Sequence, residues 1–282
     1  MTPDFSDAPV PLSFSDSVNI IAKIAWLFGH YDLRVYISHN GYIDVGRGSL
    51  GAALSVSSAL KDYSGCVGTV EQFCDFSASS ELLAGGEHRN DNNVNITFAN
   101  IKAFQTMTVK HGIHDLNPLT KGPIVIGNAV VVSANAVILG GVHVGDGALI
   151  AANALVRTNV EPFSVYGGVP AKRIKDRLSL DRQLVLAKVR WWDFYLIYLG
   201  NNLVRLQNLA VDTTADHIYR KPTPRIVLKL LNVDKPNQHL EIMGFAEGSQ
   251  LLKLSDAPVR VQHYVSQIRG QGPYHWIANV WE

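Results

Sequence analysis

The stretch Gly85-Gly86-Glu87-His88-Arg89-Asn90-Asp91 gathers an imidazole, a guanidinium and two carboxylates within a few residues. Paired glycines and an asparagine mark a loop, and a histidine so placed is a proton-transfer group, a metal ligand or a solvated side chain. His111 and His114 have the three-residue spacing of a metal pair, with Asp115 as a third ligand. No second ligand cluster accompanies them, so they read as solvated side chains or substrate contacts, and no metal is expected. Cys66 and Cys74 are the only cysteines; they read as reduced, buried thiols of a cytosolic protein, and Cys74 as a core filler rather than a nucleophile.

The elements that must position these residues are constrained first by composition. A chain of 282 residues can bury a substantial core and, as a prior, form about two domains. Charged residues make up 17%, with a formal charge of +1, against roughly 25% charged in ordinary soluble domains. Such a chain has no field that would make nucleic acid or an anionic membrane its main partner. The low charge points instead to surface buried against other copies. No run reaches the ~18 apolar residues of a membrane span, and the N-terminus lacks the basic region of a secretory leader. A cytoplasmic location is therefore expected. Val18 to His30, with a single lysine, reads as a packing helix.

The region from Ile126 to Glu161 says most about the fold. Cut every six residues it reads IGNAVV VSANAV ILGGVH VGDGAL IAANAL VRTNVE, without a slip. The first position holds Ile126, Val132, Ile138, Val144, Ile150 and Val156, and the fifth holds Val130, Ala136, Val142, Ala148, Ala154 and Val160. A helix repeats its apolar residues every three to four positions and a half-buried strand every two. A period of six, with an aliphatic and a second small or β-branched inward residue, marks a parallel β-helix in which every step gives a short strand and a corner. His143 then falls at an outward corner. Fainter steps upstream place Val70, Phe76 and Leu82 at the first position and Cys74, Ser80 and Gly86 at the fifth. Gly41 to Val56 reads as the first coil, with irregular turns.

The fold class expected is mainly β: a parallel β-helix with an excursion loop, a C-terminal helix and a small additional β-rich domain. Solenoids take insertions at their corners, so 89–123 is an excursion on one edge. Beyond the coils, Leu180, Leu184, Ala187 and Trp191 recur at helical spacing and read as a packing stripe. Asp212 to Arg225 reads as a linker, and the strand-like runs after it as the small domain. The expected organisation is an N-terminal helical segment at 1–35, the β-helix at 36–174, the helix at 175–208 and the β-rich extension at 209–282.

Two further motifs follow the coils in order: Val165-Tyr166-Gly167-Gly168-Val169-Pro170-Ala171-Lys172-Arg173 and Arg190-Trp191-Trp192-Asp193-Phe194. With them, roughly residues 40 to 205 resemble the hexapeptide acyltransferases, specifically the xenobiotic acetyltransferase branch. The resemblance implies a left-handed β-helix, a homotrimer and acetyl-CoA as co-substrate, lying between two prisms. Gly86-Glu87-His88-Arg89-Asn90-Asp91 fits that family's catalytic loop residue by residue. His88 would then be the general base, taking the proton of an acceptor hydroxyl and passing it to the leaving thiolate without an acyl-enzyme. Glu87 or Asp91 would orient the ring, His114 would meet the acceptor, and a backbone N–H around Ser133 would stabilise the oxyanion. Ser133, Ala134 and Ala152 would line the pantetheine track, and Lys172 with Arg173 would meet the nucleotide phosphates. Val131 stands where relatives often carry Trp, and Arg157-Thr158-Asn159 where they carry Thr/Val-Lys-Asp, which implies a different adenine environment.

For the acceptor, Gly46-Arg47-Gly48-Ser49-Leu50-Gly51 lacks the aromatic residues that drug-modifying relatives carry in the first coil. A saccharide or nucleotide-linked sugar is the expected acceptor, with Tyr264, Tyr274, Trp276 and Trp281 of the extension available for stacking. The alternatives are a streptogramin or chloramphenicol O-acetyltransferase, a sugar N-acetyltransferase and a non-catalytic hexapeptide scaffold. Hexapeptide carbonic anhydrases fit poorly, because their zinc-holding histidine arrangement is missing.

Overall fold

Short aliphatic strands separated by four-residue corners wind the chain into a prism with three sheets. The computed structural model describes residues 32–36, 40–49, 64–77, 79–84, 120–208, 225–232, 238–247 and 250–252. The first sheet contains β1 (Leu33–Tyr36), β2 (Asn40–Val45), β3 (Ser64–Val70), β6 (Ile124–Ile126) and β9 (His143–Val144). The second contains β4 (Asp75–Phe76), β7 (Val131–Val132), β10 (Leu149–Ile150), β12 (Ser164–Gly168) and β13 (Ala171–Asp176). The third contains β5 (Glu81–Leu83), β8 (Val137–Leu139) and β11 (Leu155–Val156).

Successive coils pair in parallel and in register, Val125 with His143, Val131 with Leu149 and Val137 with Leu155. All twelve inward positions read from the six-residue period are buried, none more than 4% exposed. Upstream, Val70, Cys74, Phe76, Ser80 and Leu82 are buried too, while Gly86 lies outside the described residues.

Many corners share one backbone device. On two of the three edges the third corner residue takes a left-handed φ: Gly48, Phe73, Ala129, Gly147 and Phe163 between the first and second sheets, Asn135 and Asn153 between the second and third. Asparagine tolerates that region better than most side chains. At Gly48 (φ 71°) a Cβ would also lie 2.4 Å from the Phe73 ring, so the first corner admits no side chain there.

After the last coil, β12 turns at Val169-Pro170 and returns antiparallel as β13. The chain therefore stays extended to Asp176, and the helix expected from 175 begins at α1 (Leu180–Val189). Arg190, in the left-handed region, ends α1; a 3-10 turn, Trp191–Asp193, leads into α2 (Leu196–Gln207). The stripe read as packing does not pack along its length. Leu180 and Leu184 are 68% and 61% exposed and Ala187 is exposed, whereas Trp191 rests on Phe73 at 5.1 Å between ring centroids. Helical spacing identified one face but not what lies over it.

At the other end, β1 lies antiparallel to β2, fixed by a two-point ion pair in which Arg34 Nε and Nη2 donate to Asp44 at 2.8 and 2.9 Å. Within 209–282, β14 (Arg225–Asn232), β15 (Gln238–Glu247) and β16 (Gln250–Leu252) continue the first sheet, β14 pairing in parallel with β1. Tyr264, Tyr274, Trp276, Trp281 and residues 1–31 lie outside the described residues.

Candidate active site

The segment holding His88, Glu87, Asp91, His111, His114 and Asp115 lies outside the described residues, but its two attachment points do not. The third sheet reaches Ala84 through β5, and the chain re-enters at Thr120, whose hydroxyl donates to the Ala84 carbonyl at 2.8 Å. Gly141 N–H donates to Gly122 O at 2.9 Å, tying the returning chain to the next coil. The interruption thus leaves and rejoins one corner, between the third and first sheets, as an insertion into a solenoid must.

The residues expected to line the cofactor track sit together on the corner between the second and third sheets. Ser133-Ala134-Asn135-Ala136 and Ala151-Ala152-Asn153-Ala154 stack one coil apart, with Ala134 and Ala152 both exposed. Their ladder is continuous elsewhere: Ser133 N–H donates to Ile150 O, Ala151 N–H to Tyr166 O and Asn153 N–H to Ala134 O, at 2.8 to 2.9 Å. Asn135 N–H donates to Ser79 Oγ at 3.2 Å, and Asn135 Nδ2 to Asn153 Oδ1 at 3.3 Å. Among the described residues the N–H groups of Ala134 and Ala152 donate to nothing. Of the backbone amides around Ser133 expected to meet the oxyanion, that of Ser133 itself is used between coils and that of Ala134 is open.

Two open amides, about 4.8 Å apart as successive parallel strands are and on residues whose own side chains are methyl groups, suit an extended ligand carrying amide carbonyls. Pantetheine has two amides on a narrow chain, so the residues present fit it. Beyond the last coil Lys172 and Arg173 pair with Gly167 and Tyr166 across the hairpin. Both are exposed, but Arg173 is held by two carboxylates, its Nε 2.8 Å from Glu161 and its Nη2 2.6 Å from Asp176. Lys172 is thus the cation of this pair better placed to meet a phosphate.

The corner between the first and second sheets is the opposite case. Its second residues, Arg47, Gln72, Asn128 and Asp146, form a polar ladder. Asp146 Oδ1 accepts from the backbone N–H of Asn128 at 2.6 Å and from its Nδ2 at 3.0 Å. Asn128 Oδ1 accepts from Gln72 N–H at 3.2 Å, and Arg47 Nε donates to Gln72 Oε1 at 2.8 Å. Arg47 is 3% exposed, and its Nη2 donates to the carbonyls of Trp192, at 2.8 Å, and Phe194. Gln72 Nε2 also donates to Asp193 Oδ1 at 2.9 Å. The reading of Gly46 to Gly51 as a stretch without aromatic residues missed this role of Arg47. An arginine between two glycines was the available signal, but its partners lie far along the chain.

The remaining candidates separate cleanly. Burial pushes the Cys74 thiol up to about 12, and its Sγ lies 3.0 Å from Gly127 O, so it stays protonated and inert as a nucleophile. His143 is exposed, its backbone N–H donating to Asn159 Oδ1 at 2.9 Å. No metal-holding cluster occurs among the described residues.

Comparison with known proteins bears on this open corner. Residues 123–158 match the model of the bacterial transferase hexapeptide, six repeats. These coils carry the hexapeptide repeat of that model. Over 90 residues the chain is 40% identical to a "probable macrolide acetyltransferase" of Lysinibacillus sphaericus, covering 32% of this chain and 50% of that protein. Over 123 residues it is 32% identical to a chloramphenicol acetyltransferase of Agrobacterium fabrum, covering 44% and 58%. A solved galactoside acetyltransferase in complex with coenzyme A is 23% identical, covers 50% of this chain and 57% of that one, and superposes with a TM-score of 0.33. The chain spans about half the length of these two curated relatives. The matched repeats run through the corner that carries Ala134 and Ala152.

Proposed function

We propose that the chain is an acetyl-CoA-dependent O-acetyltransferase built on a left-handed, trimeric β-helix, with a saccharide or nucleotide-linked sugar as acceptor. The observation that carries the reading is the pair of open amides at Ala134 and Ala152, on a corner within the hexapeptide transferase repeats. These amides would hold the pantetheine arm, and Lys172 would meet the phosphates.

In the proposed reaction His88 accepts the proton of the acceptor hydroxyl as its oxygen attacks the thioester carbon. The new C–O bond forms, the C–S bond breaks, and the proton passes from the imidazole to the departing thiolate. A base whose pKa lies near neutrality suits both halves. Glu87 or Asp91 would orient the ring.

An antibiotic acceptor is the second reading, favoured by the curated relatives named for macrolide and chloramphenicol acetylation. The sugar reading is supported by the first corner, where Arg47 is 3% exposed and occupied by the turn carbonyls of Trp192 and Phe194 rather than facing an acceptor. Acetyl-CoA consumption measured against sugars, nucleotide sugars, chloramphenicol and a macrolide decides between them. Turnover of the antibiotics alone overturns the sugar reading. His88→Ala is expected to lower turnover about 10²–10⁴-fold while leaving CoA binding intact; unchanged turnover removes His88 from the mechanism.

A further inference from the structure

Among the described residues, the first sheet is the one that further strands extend beyond its first coil. Its first coil strand, β2, would present a regular row of backbone donors and acceptors on the side away from β3. An edge of that kind is a template for pairing with another chain. Here β1 covers it along Leu33–Val45, Arg34–Asp44, Val35–Ile43 and Tyr36–Tyr42, with no shift of register. Next, β14 pairs with β1 from Leu33–Ile226 to Tyr36–Lys229, and β15 and β16 follow antiparallel. The long outer strand is irregular: the register between β14 and β15 slips at Val227/Leu228, leaving Met243 as the extra residue. Its end is covered by β16, only three residues long. Bulges and very short outer strands are devices by which sheet edges resist pairing with other chains.

We infer that β14, β15 and β16 guard the edge that the first sheet presents through β1, occupying with this chain's own strands a surface that otherwise fits the equivalent edge of a second copy. Two experiments on the full-length chain test it. Val35 and Leu228 are register partners, so oxidation of the variant Val35→Cys/Leu228→Cys is expected to give a crosslink within one chain on a non-reducing denaturing gel. A crosslink between chains, or none, overturns the inference. Leu228→Pro removes a ladder donor from β14. Hydrogen exchange is expected to show amides 33–36 losing protection while amides 124–156 keep theirs. Light scattering is expected to show a mean mass rising with concentration to at least about twice that of the parent, the step for pairing of two copies. A mass equal to the parent's at every concentration, retained protection at 33–36, or loss of protection at 124–156 each overturns it.

Discussion

Two corners of one prism, built on the same backbone turn, do opposite things. On both, the third residue is left-handed and the coils stack in register. On one the second residues are Arg47, Gln72, Asn128 and Asp146, and the amides of Gln72 and Asn128 are closed by a side chain of the next coil. On the other they are Ala134 and Ala152, and the amides stay open. One side chain per coil therefore decides whether a corner's amides are closed or open. The first corner carries the Trp191–Asp193 turn; the second faces outward.

The comparison breaks most visibly at Arg47. Replacement by Met removes the guanidinium's hydrogen bonds to the Trp192 and Phe194 carbonyls and to the Gln72 amide oxygen in a buried place, an expected loss of about 3 kcal/mol. Chemical denaturation measures it, and CoA affinity should be unchanged because the open corner is untouched. A loss below about 1 kcal/mol, the worth of one ordinary hydrogen bond, would mean the ladder does not hold the turn.

Closing the open corner is the converse test. Ala152→Asp places at that corner the carboxylate that Asp146 supplies next door, where it closes the amide of the preceding coil. CoA affinity by calorimetry is expected to fall about tenfold, near 1.4 kcal/mol, the upper range for one hydrogen bond. Unaltered affinity would show that the Ala134 amide is not used.

The smallest effect concerns the shared turn. Ala129 holds φ at 54° without a glycine, so Ala129→Gly should stabilise by about 0.5 kcal/mol, relief of strain offset by the freedom glycine gains when unfolded. Gly147→Ala should do the reverse, because its Cβ would lie 2.5 Å from the Phe163 ring.

Where inference from sequence succeeded, the information was local and repeated. Each inward side chain from Ile126 to Val160 is fixed by its own step, and twelve consistent positions over six steps leave no alternative register. Ala134 and Ala152 came from the resemblance to the hexapeptide acyltransferases, and the fold places them on one corner, one coil apart. Arg47 could not be read, because its charge is satisfied by carbonyls 145 and 147 residues away. The exposed Leu180 and Leu184 were misread for a related reason: helical spacing is a property of one segment, burial of two. The extension read from strand-like runs joins the first sheet through β1, a pairing that no six-residue period could announce.

The Arg47 contacts also bear on the order of events during synthesis. Coils of a solenoid need only their neighbours and can form as the chain emerges, but the first corner waits for Trp192 and Phe194. At about 5–20 residues per second that delay lasts on the order of ten seconds. Throughout it a guanidinium destined for the interior stays in water, so the first coil to be made is the last to be sealed.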